Sequence, residues 1–371
     1  MVHSRRITRG PSKIRAVCGR DLAPLPRLAP RLFSDTDRIF LVTDRTAWSL
    51  FKGRFRRMLD GHWTKTDVFI IPARAPKTFQ TLKNLLSFML RHGGSRRSVV
   101  LAAGGGAVTD VAGLAAALYM RGIRWAAVPT TLLGQIDAGL GGKTAVDLDG
   151  VRNAVGAYHQ PELTVCDAAF LETLGRGELR AGAGELVKYA LIGPPALRRL
   201  VLKNLDGALN GKTASLTAVV RACAAFKLSV VAEDERDETG ARRALNLGHT
   251  AGHAFESLSR GGLSHGDAVL WGLRYIHILS LELGTLERAA RSVVHDLLWE
   301  REAPPLARAC FDFHDFHKLI RRDKKAGAKN NVFLLMIRPG VLRSVDDIET
   351  SVLREALARL KDGALPPRET P

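Results

Sequence analysis

As far as Asp167, short and almost unbroken apolar runs alternate with amphipathic stretches. The runs are RIFLVTD (38–44), DVFIIP (67–72), SVVLAAGGG (98–106) and RWAAVPTT (124–131). They lack the polar alternation of a half-solvated sheet, so they predict parallel strands covered on both faces. Between them, FQTLKNLLSFMLRHG predicts a helix ending at Gly93, and DVAGLAAALYMRG, after Thr109, predicts another. Strand–helix alternation of this kind predicts a doubly wound α/β domain.

Beyond Asp167 the apolar period changes to that of helices. ELRAGAGELVKYALI, ASLTAVVRACAAFKLSVVAEDE, LNLGHTAGHAFESLS and GDAVLWGLRYIHILSLELG all repeat at helical spacing, and NVFLLMI (331–337) is the one late strand signal. The expected organisation is an α/β N-terminal doubly wound nucleotide-binding domain over 1–167 and a mainly α-helical domain over 168–371. The segments EAPPLAR and ALPPRETP read as a loop and a loose C-terminus.

A chain of 371 residues with 46% apolar residues has enough material for two cores. No uninterrupted apolar run of bilayer length stands out. The start, MVHSRRITRGPSKIRAV, is basic but lacks the apolar stretch of a secretory signal, so a cytoplasmic protein is expected. Cys18, Cys166, Cys223 and Cys310 form no CxxC pair and read as buried free thiols. The charge of +18 attracts anions. It is spread along the chain without interleaved aromatics, so a phosphorylated metabolite is expected as partner, with no nucleic acid and no membrane.

Candidate chemistry starts at Gly104-Gly105-Gly106, which follows a strand and opens a helix carrying Asp110. Such a turn lets the backbone approach a pyrophosphate at a helix N-terminus, although it also occurs as a purely structural turn. Asn246, His249 and His253, at spacings of three and four, share one helical face, and a third imidazole follows at His265. HxxxH can offer two ligands to one metal; a buried histidine pair or a cap is the other reading. Gly248 and Gly252 leave that face open to close approach. Glu185 and Lys188 lie together on an otherwise apolar helix, where a carboxylate must be paired, ligated or exposed. Arg121, Lys143, Arg152, Asn153, Lys227 and Arg242 add cations and an amide suited to a phosphorylated, hydroxyl-rich substrate.

Several of these segments occur in one order: GGGAVTDVAGLAAALYMRGIRWAAVPTTLLGQIDAGLGGKTAVDLDGVRNAVGAYHQP, GELVKYALI, NLGHTAGHAFE and SHGDAV. From about Cys18 to RRDKK, nearly the whole chain resembles the 3-dehydroquinate synthases, a family of sugar phosphate cyclases. The resemblance implies metal ligands at Glu185, His249 and His265, for zinc or alternatively cobalt, with His253 beside the metal handling protons. It implies NAD contacts at Asp44, Lys77, Gly105, Gly106, Asp110, Thr130, Thr131, Phe170 and Thr173, with Lys143 and Arg152 able to serve cofactor and substrate alike. Catalytic positions would be Asp137, Lys188, Lys227, Asn246 and His253. Substrate-binding positions would be Arg121, Lys143, Arg152, Asn153, Arg242, Lys324 and Lys325. A homodimer is implied as well, with Arg121 reaching a neighbouring subunit's site.

The implied reaction oxidises C5 of 3-deoxy-D-arabino-heptulosonate 7-phosphate with NAD, eliminates phosphate, returns the hydride, opens the ring and closes a carbocycle by aldol addition. Four positions depart from the family's pattern. Arg74 stands where a Glu is frequent, Thr46 for an Asn, Thr109 for a Gly and Arg152 for a Lys. A guanidinium cannot accept hydrogen bonds from ribose hydroxyls, so Arg74 implies weaker NAD binding or use of NADP. The alternatives are a valiolone-type or deoxy-inosose-type cyclase, or a metal-dependent polyol dehydrogenase.

Overall fold

The computed structural model describes residues 5–9, 14–72, 76–322 and 332–363. The chain divides into two compact units, Met1–Glu178 with Asn210–Thr239, and Leu179–Leu209 with Gly240–Pro371.

The first unit is built on a seven-stranded sheet. Its strands are β1 (Arg5–Arg9), β2 (Ile14–Gly19), β3 (Ile39–Asp44), β4 (Thr66–Ile71), β5 (Val99–Gly104), β6 (Arg124–Pro129) and β9 (Leu163–Asp167), in the order β1-β2-β9-β6-β5-β3-β4. Only β1 runs antiparallel to its neighbour. β7 (Lys143–Leu148) and β8 (Val151–Tyr158) form a separate antiparallel hairpin.

The unbroken apolar runs have a direct cause. Ile39 and Leu41 of β3 join one core with Phe51 and Phe55 of the helix Arg45–Met58. Phe40 and Val42 join another with the helices Phe79–Arg91 and Gly106–Leu118. Both faces are covered at β3, so both parities of that strand are apolar; β4, at the end of the strand order, is covered less, with Ile70 42% exposed although its run DVFIIP predicts burial on both faces. The chain leaves β3 toward β4 and leaves β5 toward β6, on opposite sides. The C-terminal ends of β3 and β5 therefore flank the reversal point where doubly wound sheets open a crevice.

The helix Thr213–Glu233, read from the sequence as part of the second domain, groups with the first unit. It packs on β2 and on the turns Gly134–Ala138 and Ala168–Thr173, which a cut at Asp167 does not anticipate. By length and composition it is apolar enough to cross a bilayer. Leu216, Val220, Cys223, Leu228 and even Lys227 are buried in the unit, as in a core helix. Asp167 staples the end of β9. Its carboxylate accepts N–H bonds from Asp21, Leu22 and Ala169 and pairs with Arg54 at 2.9 Å.

The second unit is mainly helical, with one hairpin among the described residues, β10 (Val332–Arg338) and β11 (Val341–Asp346). The late strand signal belongs to β10. The helix His265–Glu282 is buried on nearly all sides, packing against Ala183–Ile192, His249–Leu258, Arg291–Trp299 and Thr350–Lys361. Its buried Arg274 lies 4.5 Å over Trp271 and 5.1 Å over Trp299, and donates to the carbonyls of Leu298 and Arg301. Carbonyls at a helix C-terminus and two indole faces thus solvate a cation away from water.

Candidate active site

Three helix starts converge in the second unit, and glycines make the convergence possible. A Cβ on Gly184 would lie 2.0 Å from the carbonyl oxygen of Gly266, and one on Gly266 would lie 1.9 Å from that of Ala181. Gly248 stands at φ +77°, and a Cβ on Gly272 would lie 2.0 Å from its oxygen. These main-chain contacts exclude any side chain. Each adjoins a titratable residue: Glu185 follows Gly184, His249 follows Gly248, and His265 precedes Gly266. Sequence reading identified the open face at Gly248 and missed the role of Gly184 and Gly266, whose signal was a glycine beside each acid or imidazole.

Oε1 of Glu185 lies 3.3 Å from Nε2 of His249 and 3.3 Å from Nε2 of His265. The three ligand atoms lie within 4.8 Å of one another. The opposite ring nitrogens are held too: His249 Nδ1 lies 3.2 Å from the Leu247 carbonyl, and His265 Nδ1 lies 3.4 Å from Glu256 Oε2. With Nδ1 turned to these acceptors, each Nε2 faces the Glu185 oxygen, and loss of the Nε2 proton would free a lone pair there for a metal. A carboxylate oxygen and two imidazole nitrogens converging on one point is the donor set of a catalytic zinc site, so the residues fit a divalent metal. Glu256, seven residues after His249 on the same helix, was not singled out from the sequence.

Electrostatics agree with that geometry. Burial pushes the Glu185 carboxyl up, but Lys188 and His249 outweigh it and hold the acid well below its usual range. Lys188 Nζ sits against Glu185 Oε2, both side chains shut away from water. Burial and then the charge of Lys188 push the His249 imidazolium down. For His265 burial also lowers the value, yet Glu185 and Glu256 win and raise it to about 9. The His253 ring lies 5.4 Å from that of His249 and 6.0 Å from that of His265, beside the ligand group and not within it. Arg242, 2% exposed, and the half-buried Asn246 lie on the turn Ala241–Asn246 that leads into this site. Lys324, Lys325 and Arg74 lie outside the described residues.

In the first unit the reversal point carries the glycine turn. Asp44 ends β3 and caps the next helix, accepting from Ala47 N–H at 2.8 Å. A Cβ on Gly104 would strike Val108 at 2.6 Å, with Asp44 Oδ2 at 3.0 Å, so that glycine serves packing. Gly105 is different: its φ is −73°, and a Cβ would meet only Thr131, at 3.5 Å. Neither strain nor packing demands glycine there, whereas close backbone approach by a pyrophosphate would. Gly106 opens the helix, and Thr130 N–H donates to the Gly104 carbonyl. These features fit a dinucleotide.

Further along that helix Asp110 pairs with Lys77 at 2.5 Å. Burial raises the Asp110 carboxyl to about 6 against the pull of Lys77. Lys77 also donates to Asn153. Asn153 and the exposed Arg152 lie on the β7–β8 hairpin, which the sequence reading passed over. Its signal was Asp149-Gly150, both at positive φ, the two-residue turn favoured between hairpin strands. Lys143 begins β7 and pairs with Asp237 at 2.8 Å. Asp137, on a π-helical turn, takes Lys227 at 2.5 Å.

Other positions are placed more simply. Phe170 is fully buried against Phe51, and Thr173 donates to its carbonyl. Arg121 is exposed in a left-handed stretch, Met120–Arg121–Gly122. Thr46 is exposed, and Thr109 turns its hydroxyl to the Gly106 carbonyl.

Comparison with known proteins supplies the family. The 3-dehydroquinate synthase N-terminal model matches residues 68–181, and the C-terminal model matches 182–326. A 3-dehydroquinate synthase of Symbiobacterium thermophilum is 36% identical over 342 residues, 92% of this chain and 95% of the relative. The structure of a 2-epi-5-epi-valiolone synthase from Streptomyces hygroscopicus subsp. jinggangensis, with NAD+ and Zn2+ bound, superposes with TM-score 0.80 at 28% identity, covering 92% of this chain and 95% of that one. A 2-deoxy-scyllo-inosose synthase reaches TM-score 0.82 at 23% identity over 96% and 99%, a likeness of fold. Both halves of the family's pattern match in order, and the relative matches at more than a third of positions over nearly its full length: the chain belongs to the 3-dehydroquinate synthase family.

Proposed function

We propose that this protein is a 3-dehydroquinate synthase, a phosphate-eliminating cyclase that converts 3-deoxy-D-arabino-heptulosonate 7-phosphate to 3-dehydroquinate and phosphate. The observation that carries this reading is the Glu185–His249–His265 group, with Glu185 buried and Lys188 against it, in a chain 36% identical to a named 3-dehydroquinate synthase. The valiolone synthase, at 28%, supports NAD and zinc as the cofactors.

When bound, a divalent metal supplies Lewis acidity toward a substrate oxygen and a dinucleotide supplies reversible hydride transfer, so net redox is zero. Glu185, His249 and His265 would hold the metal. Lys188, its charge balanced by Glu185, offers ammonium donors to a substrate oxygen in a dry setting where such bonds are strong. His253, outside the ligand group, is suited to move a proton between hydroxyl and phosphate oxygens. Gly105, Gly106 and the helix start after them would take the pyrophosphate; Asp44, Lys77, Asp110, Thr130, Thr131, Phe170 and Thr173 complete the nucleotide positions. Lys143, Arg152, Lys227, Arg242, Lys324 and Lys325 provide cations for a substrate charged at both ends, with Arg121, Asn153, Asn246 and Asp137 as further contacts. A sugar phosphate without the carboxylate would need fewer cations. A cytoplasmic homodimer belongs to the same reading.

The test offers the purified protein the heptulosonate phosphate with NAD and zinc. The expected result is equal release of phosphate and dehydroquinate without NADH accumulation. Stoichiometric NADH instead indicates a polyol dehydrogenase. Turnover of sedoheptulose 7-phosphate or glucose 6-phosphate alone indicates a valiolone-type or deoxy-inosose-type cyclase. Running the assay with NADP decides the preference raised by Arg74.

A further inference from the structure

Two ion pairs of opposite sense join the same two stretches of the first unit. Asp137 accepts from Lys227 at 2.5 Å, and six residues later Lys143 donates to Asp237 at 2.8 Å, ten residues after Lys227. The acid lies on the first stretch in one pair and on the second stretch in the other. The pairs differ in burial. Lys227 and Asp137 are both largely covered, whereas Asp237 is 2% exposed and Lys143 is 47% exposed.

Asp237 is held unusually firmly for a loop residue. Its φ is +56°, a left-handed conformation that aspartate and asparagine tolerate better than most side chains. The loop is wound on Asp234, whose carbonyl accepts from Asp237 N–H, and whose Oδ1 accepts from Glu238 N–H at 2.7 Å and Thr239 N–H at 3.3 Å. Lys143 follows Gly141 and Gly142, both at positive φ, at the start of the hairpin. A buried carboxylate on a braced loop thus grips the tip of a half-exposed lysine.

We propose that Asp237 is a positioning residue: it fixes the Lys143 ammonium so that this cation meets an anionic substrate group already oriented. The inference rests on the reading of Lys143 as a substrate-binding cation. An ammonium carries three donors, so it can serve Asp237 and an incoming oxyanion together. Without the carboxylate, Lys143 loses this anchor, and substrate binding must then supply more of its ordering.

The test compares Asp237→Asn, Asp237→Glu, Lys143→Met and the double variant Lys143→Met/Asp237→Asn in the full-length, metal-loaded protein. Asparagine keeps the left-handed backbone and removes only the charge. The first readout is kcat and KM for the heptulosonate phosphate. Asp237→Asn should lower kcat/KM about tenfold, equivalent to ~1.4 kcal/mol, mostly through KM. Asp237→Glu should recover much of it, and the double variant should be no worse than Lys143→Met. The second readout needs no substrate: labelling of Lys143 by acetic anhydride, followed by peptide mass spectrometry, should rise in Asp237→Asn and not in Asp237→Glu. A purely structural staple would lower the melting temperature and give additive losses with KM unchanged, and that result overturns the proposal. If the wild-type protein ignores the heptulosonate phosphate, the proposed function fails, and labelling alone decides: unchanged Lys143 reactivity in Asp237→Asn then overturns the positioning role.

Discussion

Replacing Gly184 by alanine tests whether the glycine crossing sets the geometry of the metal group. The new Cβ would lie 2.0 Å from the Gly266 carbonyl oxygen and 2.9 Å from its carbon. An unstrained carbon–oxygen contact is about 3.3 Å, so the two main chains must separate by roughly 1.3 Å. Neither partner is a side chain that can rotate away. Overpacking in a core costs about 1–3 kcal/mol, and a backbone obstruction belongs at the upper end, so ~3 kcal/mol is expected. The strain falls between Glu185, next in sequence, and His265, next to Gly266. Metal sites need ligand distances within about 0.2 Å, so zinc affinity should fall by at least ~100-fold. Urea unfolding of the metal-free protein measures the first effect, and chelator competition with Zn2+ measures the second. Gly177→Ala is the control: nothing lies within 4 Å of its Cβ, and a change below about 0.5 kcal/mol is expected. If Gly184→Ala keeps both the urea midpoint and the zinc affinity of the wild type, the crossing does not set the site and the reasoning is wrong.

Further expectations concern the same cluster and the substrate cations. His265→Ala should remove stoichiometric zinc and His253→Ala should retain it, as measured by metal analysis after dialysis; the reverse pattern would assign the wrong imidazole. In the metal-free protein His265 stays protonated up to about 9, whereas burial and the charge of Lys188 hold the His249 imidazolium below its ordinary range, so His249 gives up its proton first. Zinc binding at pH 7.5 should therefore release about one proton, and affinity should rise roughly tenfold per pH unit until about pH 9; calorimetry in two buffers checks this, and two protons or none would contradict it. The same raised value stabilises the metal-free fold fully below the unfolded value of about 6.5 and is lost as pH rises through about 9. Glu256→Gln should weaken zinc binding about 10- to 100-fold by loosening His265, with little change in melting temperature. Arg152→Lys keeps the charge, so turnover should stay within about tenfold of wild type in the phosphate-release assay.

Local pattern was enough for much of this protein. The unbroken apolar runs of β3 and β5 matched strands buried on both faces, because one polar parity would have shown if a face met water; the run of β4 did not, since that strand ends the sheet and leaves Ile70 42% exposed. Glu185 on its apolar helix and the imidazoles of His249, His253 and His265 were legible as candidate ligands, whereas the choice of Glu185, His249 and His265 among them came from the family resemblance. The hairpin of Lys143 and Arg152 was legible too, in Asp149-Gly150, although it was passed over.

Other features depend on contacts between residues far apart in the chain, which no spacing rule encodes. HxxxH places His249 and His253 on one helix face, but helix crossings decide which imidazole meets Glu185. Those crossings depend on Gly184, Gly248, Gly266 and Gly272 packing across intervals that periodicity does not sample. The return of Thr213–Glu233 to the first unit has the same origin. Its apolar pattern is compatible with many partners, and only packing on β2 selects one. The Lys143–Asp237 pair spans ninety-four residues. A buried carboxylate's need for a cation is written in the sequence, whereas the tertiary fold alone determines which cation lies within reach.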